Sequence, residues 1–240
     1  LYGGTYRFFH QELPSLGIQT TFTDMRSPDA IRAALRPETQ ILYFEALSNP
    51  LLKVANIPVL AEIARAHGAH LIIDATFVTP IGFRALELGA DVVVHSASKY
   101  LNGHSDLIAG AAAGNRKWID RIWERLMNFG GCLDPHSCFL LERGLKTLPL
   151  RMKAHAENAF GLAQWLSGHP SIAAVYYPML PTHPDYALAQ SLMRMAGGVI
   201  AFEVKGGDAA ALGLCERLRL PKQATSLGGV ESLISLPFNT

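Results

Sequence analysis

Short apolar runs alternate with amphipathic stretches through the first part of the chain. Residues 18–24, 40–44, 71–74 and 92–96 predict strands. The last two are rich in Ile and Val, as befits strands covered on both faces of a sheet. Between them lie helical patterns. Pro58 stands at a first-turn position of one that runs to His67, and Gly68 ends it. Pro28 opens a shorter one that reaches Leu35. Strand, helix and strand in repeated order predict a mostly parallel sheet with helices on both faces.

The texture changes from about residue 116. Helical patterns occupy 116–127, 136–147 and 153–166, followed by apolar runs at 173–177, 198–205 and 231–236 and a helix at 208–219. Strands broken by Gly-Gly pairs and separated by helices predict a smaller C-terminal α+β domain. Leu148-Pro149 marks the division, giving a large domain over 1–150 and a small one over 151–240.

Composition narrows the class of function. The chain of 240 residues carries 21 Lys+Arg against 20 Asp+Glu, a net charge of 21 − 20 = +1. So even a balance gives no electrostatic reason to expect nucleic acid or anionic lipid as a partner. With 49% hydrophobic and only 17% charged residues, the chain has the makings of a buried core. No apolar run approaches the roughly 20 residues of a membrane helix, which predicts a soluble protein without a membrane partner. Cys132, Cys138 and Cys215 are irregularly spaced and suggest neither a disulfide framework nor a metal site. They predict a reduced, cytoplasmic setting. A first residue Leu1 and a last segment Pro237-Phe238-Asn239-Thr240 suggest that N- and C-terminal parts are missing.

In open parallel sheets, ligands gather at the carboxyl ends of the strands. One such end carries Asp74-Ala75-Thr76, and the next carries Val94-His95-Ser96-Ala97-Ser98-Lys99-Tyr100. An acid after a strand is commonly a turn former. A lysine at the mouth of a sheet, flanked by two hydroxyls and small residues, is less ordinary. Ser96 and Ser98 could turn both oxygens to one phosphate. A partly desolvated Lys99 amine could condense with an aldehyde, and Asp74 could keep a ring nitrogen protonated. Phosphate, aldehyde and pyridine nitrogen describe pyridoxal 5′-phosphate, although spacing alone leaves this one possibility among several.

Ordered motifs narrow the choice. Asp74-Ala75-Thr76-Phe77, Gly89-Ala90-Asp91 and the run from His95 through Lys99 to Asn102-Gly103-His104-Ser105-Asp106 closely resemble the Cys/Met-metabolism family of pyridoxal-phosphate enzymes. Tyr2-Gly3-Gly4-Thr5 resembles that family's ring-stacking tyrosine loop, Ser48-Asn49-Pro50 its Ser/Thr-Asn-Pro turn, and 226–232 its carboxylate-binding turn. The resemblance spans essentially the whole chain. It implies the aspartate-aminotransferase-like fold type I, pyridoxal phosphate as cofactor, a small amino-acid substrate and a homotetramer of two catalytic dimers.

Residue by residue, the resemblance implies that Lys99 binds the cofactor aldehyde and then shuttles protons between substrate carbons. Asp74 pairs with the pyridinium nitrogen, and Ser96 and Ser98 hold the phosphate. Thr76 is a further cofactor contact. Tyr2 stacks on the ring and serves as an acid–base group near the leaving thiol. Asn49 reaches the ring-hydroxyl side and the substrate, and Ser226 contacts the substrate carboxylate. His104 shapes the turn beside the lysine loop, and His67 and His70 are not expected to hold a metal.

The resemblance also implies parts that this chain lacks: an N-terminal Tyr-x-Arg phosphate contact and a late carboxylate-binding arginine beyond Thr240. Gly4 stands where methionine γ-lyases carry Cys. Ser105-Asp106 is intact, as in cystathionine γ-synthases and γ-lyases, yet Thr225 replaces the Glu usual there. The expected chemistry is γ-elimination or γ-replacement on a sulfur amino acid or activated homoserine. Methionine γ-lyase activity, β-elimination at a carbon–sulfur bond, and a truncated non-catalytic homologue are the alternatives.

Overall fold

The computed structural model describes residues 1–237. The chain opens with a helical segment, α1 (Gly3–Arg7), a π-helical stretch (Phe8–Glu12) and α2 (Leu13–Ser15). Then follow α3 (Pro28–Ala34), β1 (Ile41–Glu45), α4 (Ile57–His67), β2 (His70–Asp74), α5 (Thr79–Gly82), β3 (Val92–Ser96) and β4 (Gly110–Gly114). The remainder comprises α6 (Arg116–Phe129), α7 (Pro135–Leu145), α8 (Leu148–Ser167), β5 (Ile172–Tyr176), α9 (Tyr186–Leu192), β6 (Ala201–Val204), α10 (Gly207–Arg217), β7 (Lys222–Gln223) and β8 (Leu233–Ile234).

The main sheet has the order β1-β2-β3-β4, with the first three strands parallel and β4 antiparallel to β3. Its core is built from Leu42, Leu71, Ile73 and Val93 of the strands against Ile57, Leu60 and Ile63 of α4. Full burial of each such side chain is worth about 1.5–3 kcal/mol. The start of α4 follows from Pro58 in its first turn and an Asn56 side chain that accepts from the Val59 N–H. Its end follows from Gly68 at φ 78°, a left-handed conformation that glycine adopts without strain. Beyond the main sheet, β5 and β6 form an antiparallel pair, and β7 and β8 a short parallel one.

Most predicted elements stand, with shifted ends, and four features differ. Residues 18–24 are not a strand. A strand exists only through its ladder, and this segment pairs with none of the described strands. Its side chains are engaged otherwise: Arg36 donates to Gln19 and Thr21, and Phe22 packs on Tyr6 at 4.9 Å. Conversely, β4 is the sequence Gly-Ala-Ala-Ala-Gly, poor in strand formers, and five pairs with β3 impose its conformation. The start of the chain, expected as a loop around Gly3-Gly4, is helical from Gly3 onward. The predicted strand at 231–236 shrinks to Leu233–Ile234.

A second apolar cluster secures the segment after β3. Ala97, Tyr100 and Leu101 pack on Leu148 and Met152 of α8. The guanidinium of Arg151 donates to the carbonyls of Tyr100 at 2.7 Å, Gly144 at 2.8 Å and Leu101 at 3.4 Å. It also donates to the Thr147 hydroxyl at 3.0 Å. In α7, Gly144 presses its bare Cα against the Asn102 backbone, where a Cβ would collide with the carbonyl.

Gly144→Ala is therefore expected to destabilise the protein by about 1–3 kcal/mol through overpacking. At an unhindered helix position the same change would stabilise by about 1 kcal/mol. Urea denaturation gives the sign; a stabilised variant would mean that the 97–103 segment yields freely.

Candidate active site

Parallel pairing brings three strand ends to one edge. Glu45 lies opposite Asp74 in the β1–β2 register, and Asp74 lies opposite Val94 in β2–β3. The chain then turns at 97–103, and this turn carries Lys99 into the same edge. Asp74 is held at both oxygens: Oδ1 accepts from the Thr76 N–H at 2.8 Å and Oδ2 from the Tyr43 hydroxyl at 3.2 Å. Thr76 continues the link, its hydroxyl accepting from the Ser96 N–H at 2.9 Å. Asp74, Thr76 and Ser96 thus form one connected unit across two strand ends.

Lys99 faces a partner from far along the chain. Its Nζ donates to Ser226 Oγ at 2.8 Å. The approach requires Gly228, at φ 82°, because a side chain there would run into the backbone of Lys99 and Tyr100. Ser105 donates to Glu231 Oε1 at 2.7 Å and ties down the other end of the same turn. Partial burial pushes the Lys99 ammonium below its ordinary range, so the neutral, nucleophilic amine is more accessible here than on a surface lysine.

The other residues anticipated from sequence are placed less directly. Tyr2 donates its backbone N–H to Glu45 Oε1 at 2.6 Å, and its ring is 59% exposed. Asn49 donates its backbone N–H to Glu45 Oε2 at 3.3 Å. Both therefore reach the site through Glu45. Ser98 is turned toward Ala109, accepting from its N–H at 2.9 Å and donating to its carbonyl at 3.3 Å. The Ser96 hydroxyl makes no hydrogen bond among the described residues and is the better placed of the two for an anion. His104 Nδ1 lies 2.8 Å from the Asn102 carbonyl, within the turn it was expected to shape. His67 Nε2 lies 2.8 Å from the Arg36 carbonyl.

Sequence reasoning missed Tyr43, Glu45, His95 and Arg151. Burial pushes the Glu45 carboxyl up, against the pull of the Tyr2 N–H that it accepts. Burial pushes the His95 imidazole down, opposed by the Asp74 carboxylate nearby, and its Nδ1 has no hydrogen-bond partner among the described residues. One signal for Glu45 was in plain view: it ends an apolar run, as Asp74 does. Nothing local marked Arg151, which acts through carbonyls about 50 positions away.

A partly desolvated amine, a doubly held carboxylate on the neighbouring strand end, and an uncommitted hydroxyl beside it suit a phosphorylated pyridine aldehyde. Comparison with known proteins agrees. The model of the family described as Cys/Met metabolism PLP-dependent enzyme matches residues 1–240. L-Methionine gamma-lyase of Pseudomonas putida is 44% identical over 241 residues, covering 99% of this chain and 60% of that protein. Cystathionine beta-lyase of Coxiella burnetii is 45% identical over 240 residues, covering 99% of this chain and 62% of that protein. The crystal structure of cystathionine gamma-lyase from Lactobacillus plantarum complexed with L-serine superposes with a TM-score of 0.95 at 39% identity. It covers 99% of this chain and 62% of that one. The chain spans about 60% of the length of the curated relatives it matches. It belongs to the Cys/Met metabolism family of pyridoxal-phosphate-dependent enzymes.

Proposed function

We propose that the protein acts on the carbon–sulfur framework of an amino acid, by γ-elimination or γ-replacement on a sulfur amino acid or an activated homoserine. The observation that carries this reading is the Lys99 amine, bonded to Ser226 at the strand edge that also holds Asp74. Bound pyridoxal phosphate supplies an electron sink for a carbanion at the substrate Cα. The residues of the chain do the rest. Lys99 is the covalent attachment point. Its Nζ, released by the substrate amine, takes the proton from Cα and carries protons between the substrate carbons. Asp74, held in place by two donors, would keep the proton on the ring nitrogen. Ser96 binds the phosphate, and Ser98 adds its hydroxyl proton while its lone pair keeps the Ala109 N–H. Tyr2 and Asn49, positioned through Glu45, cover the ring and the substrate, with Tyr2 protonating the departing thiolate. Ser226 exchanges its bond to Lys99 for one to the substrate carboxylate.

β-Elimination is the second reading, supported by a cystathionine beta-lyase at 45% identity beside a methionine gamma-lyase at 44%. An oligomer, in particular a homotetramer in the cytosol, belongs to the same proposal. The exposed Trp123, Met127, Phe129 and Phe139 of α6 and α7 support it as apolar surface in need of cover. The boundary between a large and a small domain, at 148–152, is likewise part of it.

Borohydride treatment with pyridoxal phosphate is expected to fix the cofactor on Lys99, read by peptide mass. The neutral amine is the reactive form, so fixation rises with pH and is half-maximal below the ordinary lysine value of 10.5. Lys99→Ala removes the modified peptide and lowers turnover by at least about 10²–10⁴-fold. Fixation spread evenly over other lysines would defeat the assignment. Product analysis with cystathionine, methionine and O-acylated homoserine is expected to yield a four-carbon 2-oxo acid or a γ-substituted amino acid. Pyruvate alone would establish β-elimination, and no product from any of them would favour a non-catalytic homologue.

A further inference from the structure

Tyr43 lies in β1 on the same sheet face as Glu45, one strand away from Asp74. Its ring meets Phe9 edge-on at 4.9 Å, which fixes the ring plane. Its hydroxyl donates to Asp74 Oδ2 at 3.2 Å. A chain of hydrogen bonds therefore runs from Tyr43 to Asp74 and on through Thr76 to Ser96. Burial and the carboxylates of Asp74 and Glu45 push the Tyr43 phenol well above its ordinary range, so it remains a donor.

The consequence follows from the geometry of a shared proton. A carboxylate keeps a proton on a pyridine nitrogen only while it is held facing that nitrogen. The Thr76 N–H that holds Oδ1 belongs to the turn itself, whereas the Tyr43 hydroxyl that holds Oδ2 is supplied by another strand.

We propose that Tyr43 is a positioning residue that holds the Asp74 carboxylate in place through Oδ2, and so keeps the proton on the cofactor's ring nitrogen. The inference rests on the assignment of Lys99 and Asp74 to pyridoxal phosphate. It goes beyond that assignment by giving the strength of the electron sink to a residue outside the recognised motifs. A purely structural Tyr43 would fill the space between Phe9 and the sheet, and phenylalanine would fill it equally well.

The test is ¹⁵N NMR of the intact protein loaded with pyridoxal phosphate labelled at the ring nitrogen. The unaltered protein is expected to resonate as a pyridinium. Tyr43→Phe should move the resonance toward that of unprotonated pyridine, and Phe9→Leu, which removes the edge contact that holds the Tyr43 ring, should move it the same way by less. The extent of borohydride fixation on Lys99 should stay unchanged in both. A Tyr43→Phe resonance superposable on that of the unaltered protein overturns the proposal. Should Tyr43→Phe not fold, Phe9→Leu decides alone, a shift supporting the proposal and no shift overturning it. Cofactor that cannot be fixed on Lys99 in the unaltered protein overturns both this inference and the functional reading. Cofactor fixed there, with a ring proton indifferent to both variants, overturns this inference only.

Discussion

A lysine amine can serve as a nucleophile only if it is partly withdrawn from water and still satisfied, and holding Lys99 in that condition is the constraint on which the site depends. An amine on a flexible loop would reach solvent and remain an ordinary ammonium. Here the turn that carries it is gripped from two sides. On one side Arg151 collects the carbonyls of Tyr100, Leu101 and Gly144. On the other the turn at 226–231 lies directly on the Lys99–Tyr100 peptide. A half-buried guanidinium is costly unless its donors are met, and those carbonyls meet them. The clamp and the cation's solvation are thus the same set of bonds. Four glycines mark the places of closest approach: Gly103 under Arg151, Gly144 on Asn102, Gly228 on the lysine peptide and Gly197 on Phe77.

The parallel register supplies the second requirement, a carboxyl group on the strand end next to the one that leads into the lysine turn. Strands spaced about 4.8 Å apart place Glu45, Asp74 and the end of β3 in a row, and each end contributes a different function. Asp74 accepts from the Thr76 N–H and the Tyr43 hydroxyl, one at each oxygen. Glu45, buried and pushed toward protonation, organises the backbone of the two segments that approach from outside, at Tyr2 and Asn49. Two carboxyls in one row would repel if both were charged and undirected. The structure separates them by task, one facing its donors at the turn and one serving as a backbone acceptor.

Several of these features were readable along the chain. The strands at β1, β2 and β3 appear as apolar runs ending in polar residues, and the ends of α4 follow from Pro58 and Gly68. The placement of Asp74 and of the turn carrying Lys99 at adjacent strand ends follows from the rule that parallel sheets bind ligands at their carboxyl edge. Such properties are local or periodic, and a reader of the sequence needs only spacing to find them. Residues 18–24 and β4 failed in opposite directions for a single reason. Strand propensity describes a surface that would pair well, and whether a partner stands beside it is not a local property.

What the sequence by itself determined is the set of reactive groups and their order: Asp74, Thr76, Ser96, Ser98 and Lys99 on two consecutive strand ends, with Ser226 far downstream. What only the tertiary structure decided is how those groups are bonded. It turned Ser98 onto Ala109, set Ser226 on the Lys99 amine, and recruited Tyr43, Glu45 and Arg151, which no motif had marked. The physical reason is range. Backbone periodicity is encoded within a few residues, whereas a hydrogen bond across 127 positions exists only once the packed core has brought its two ends together.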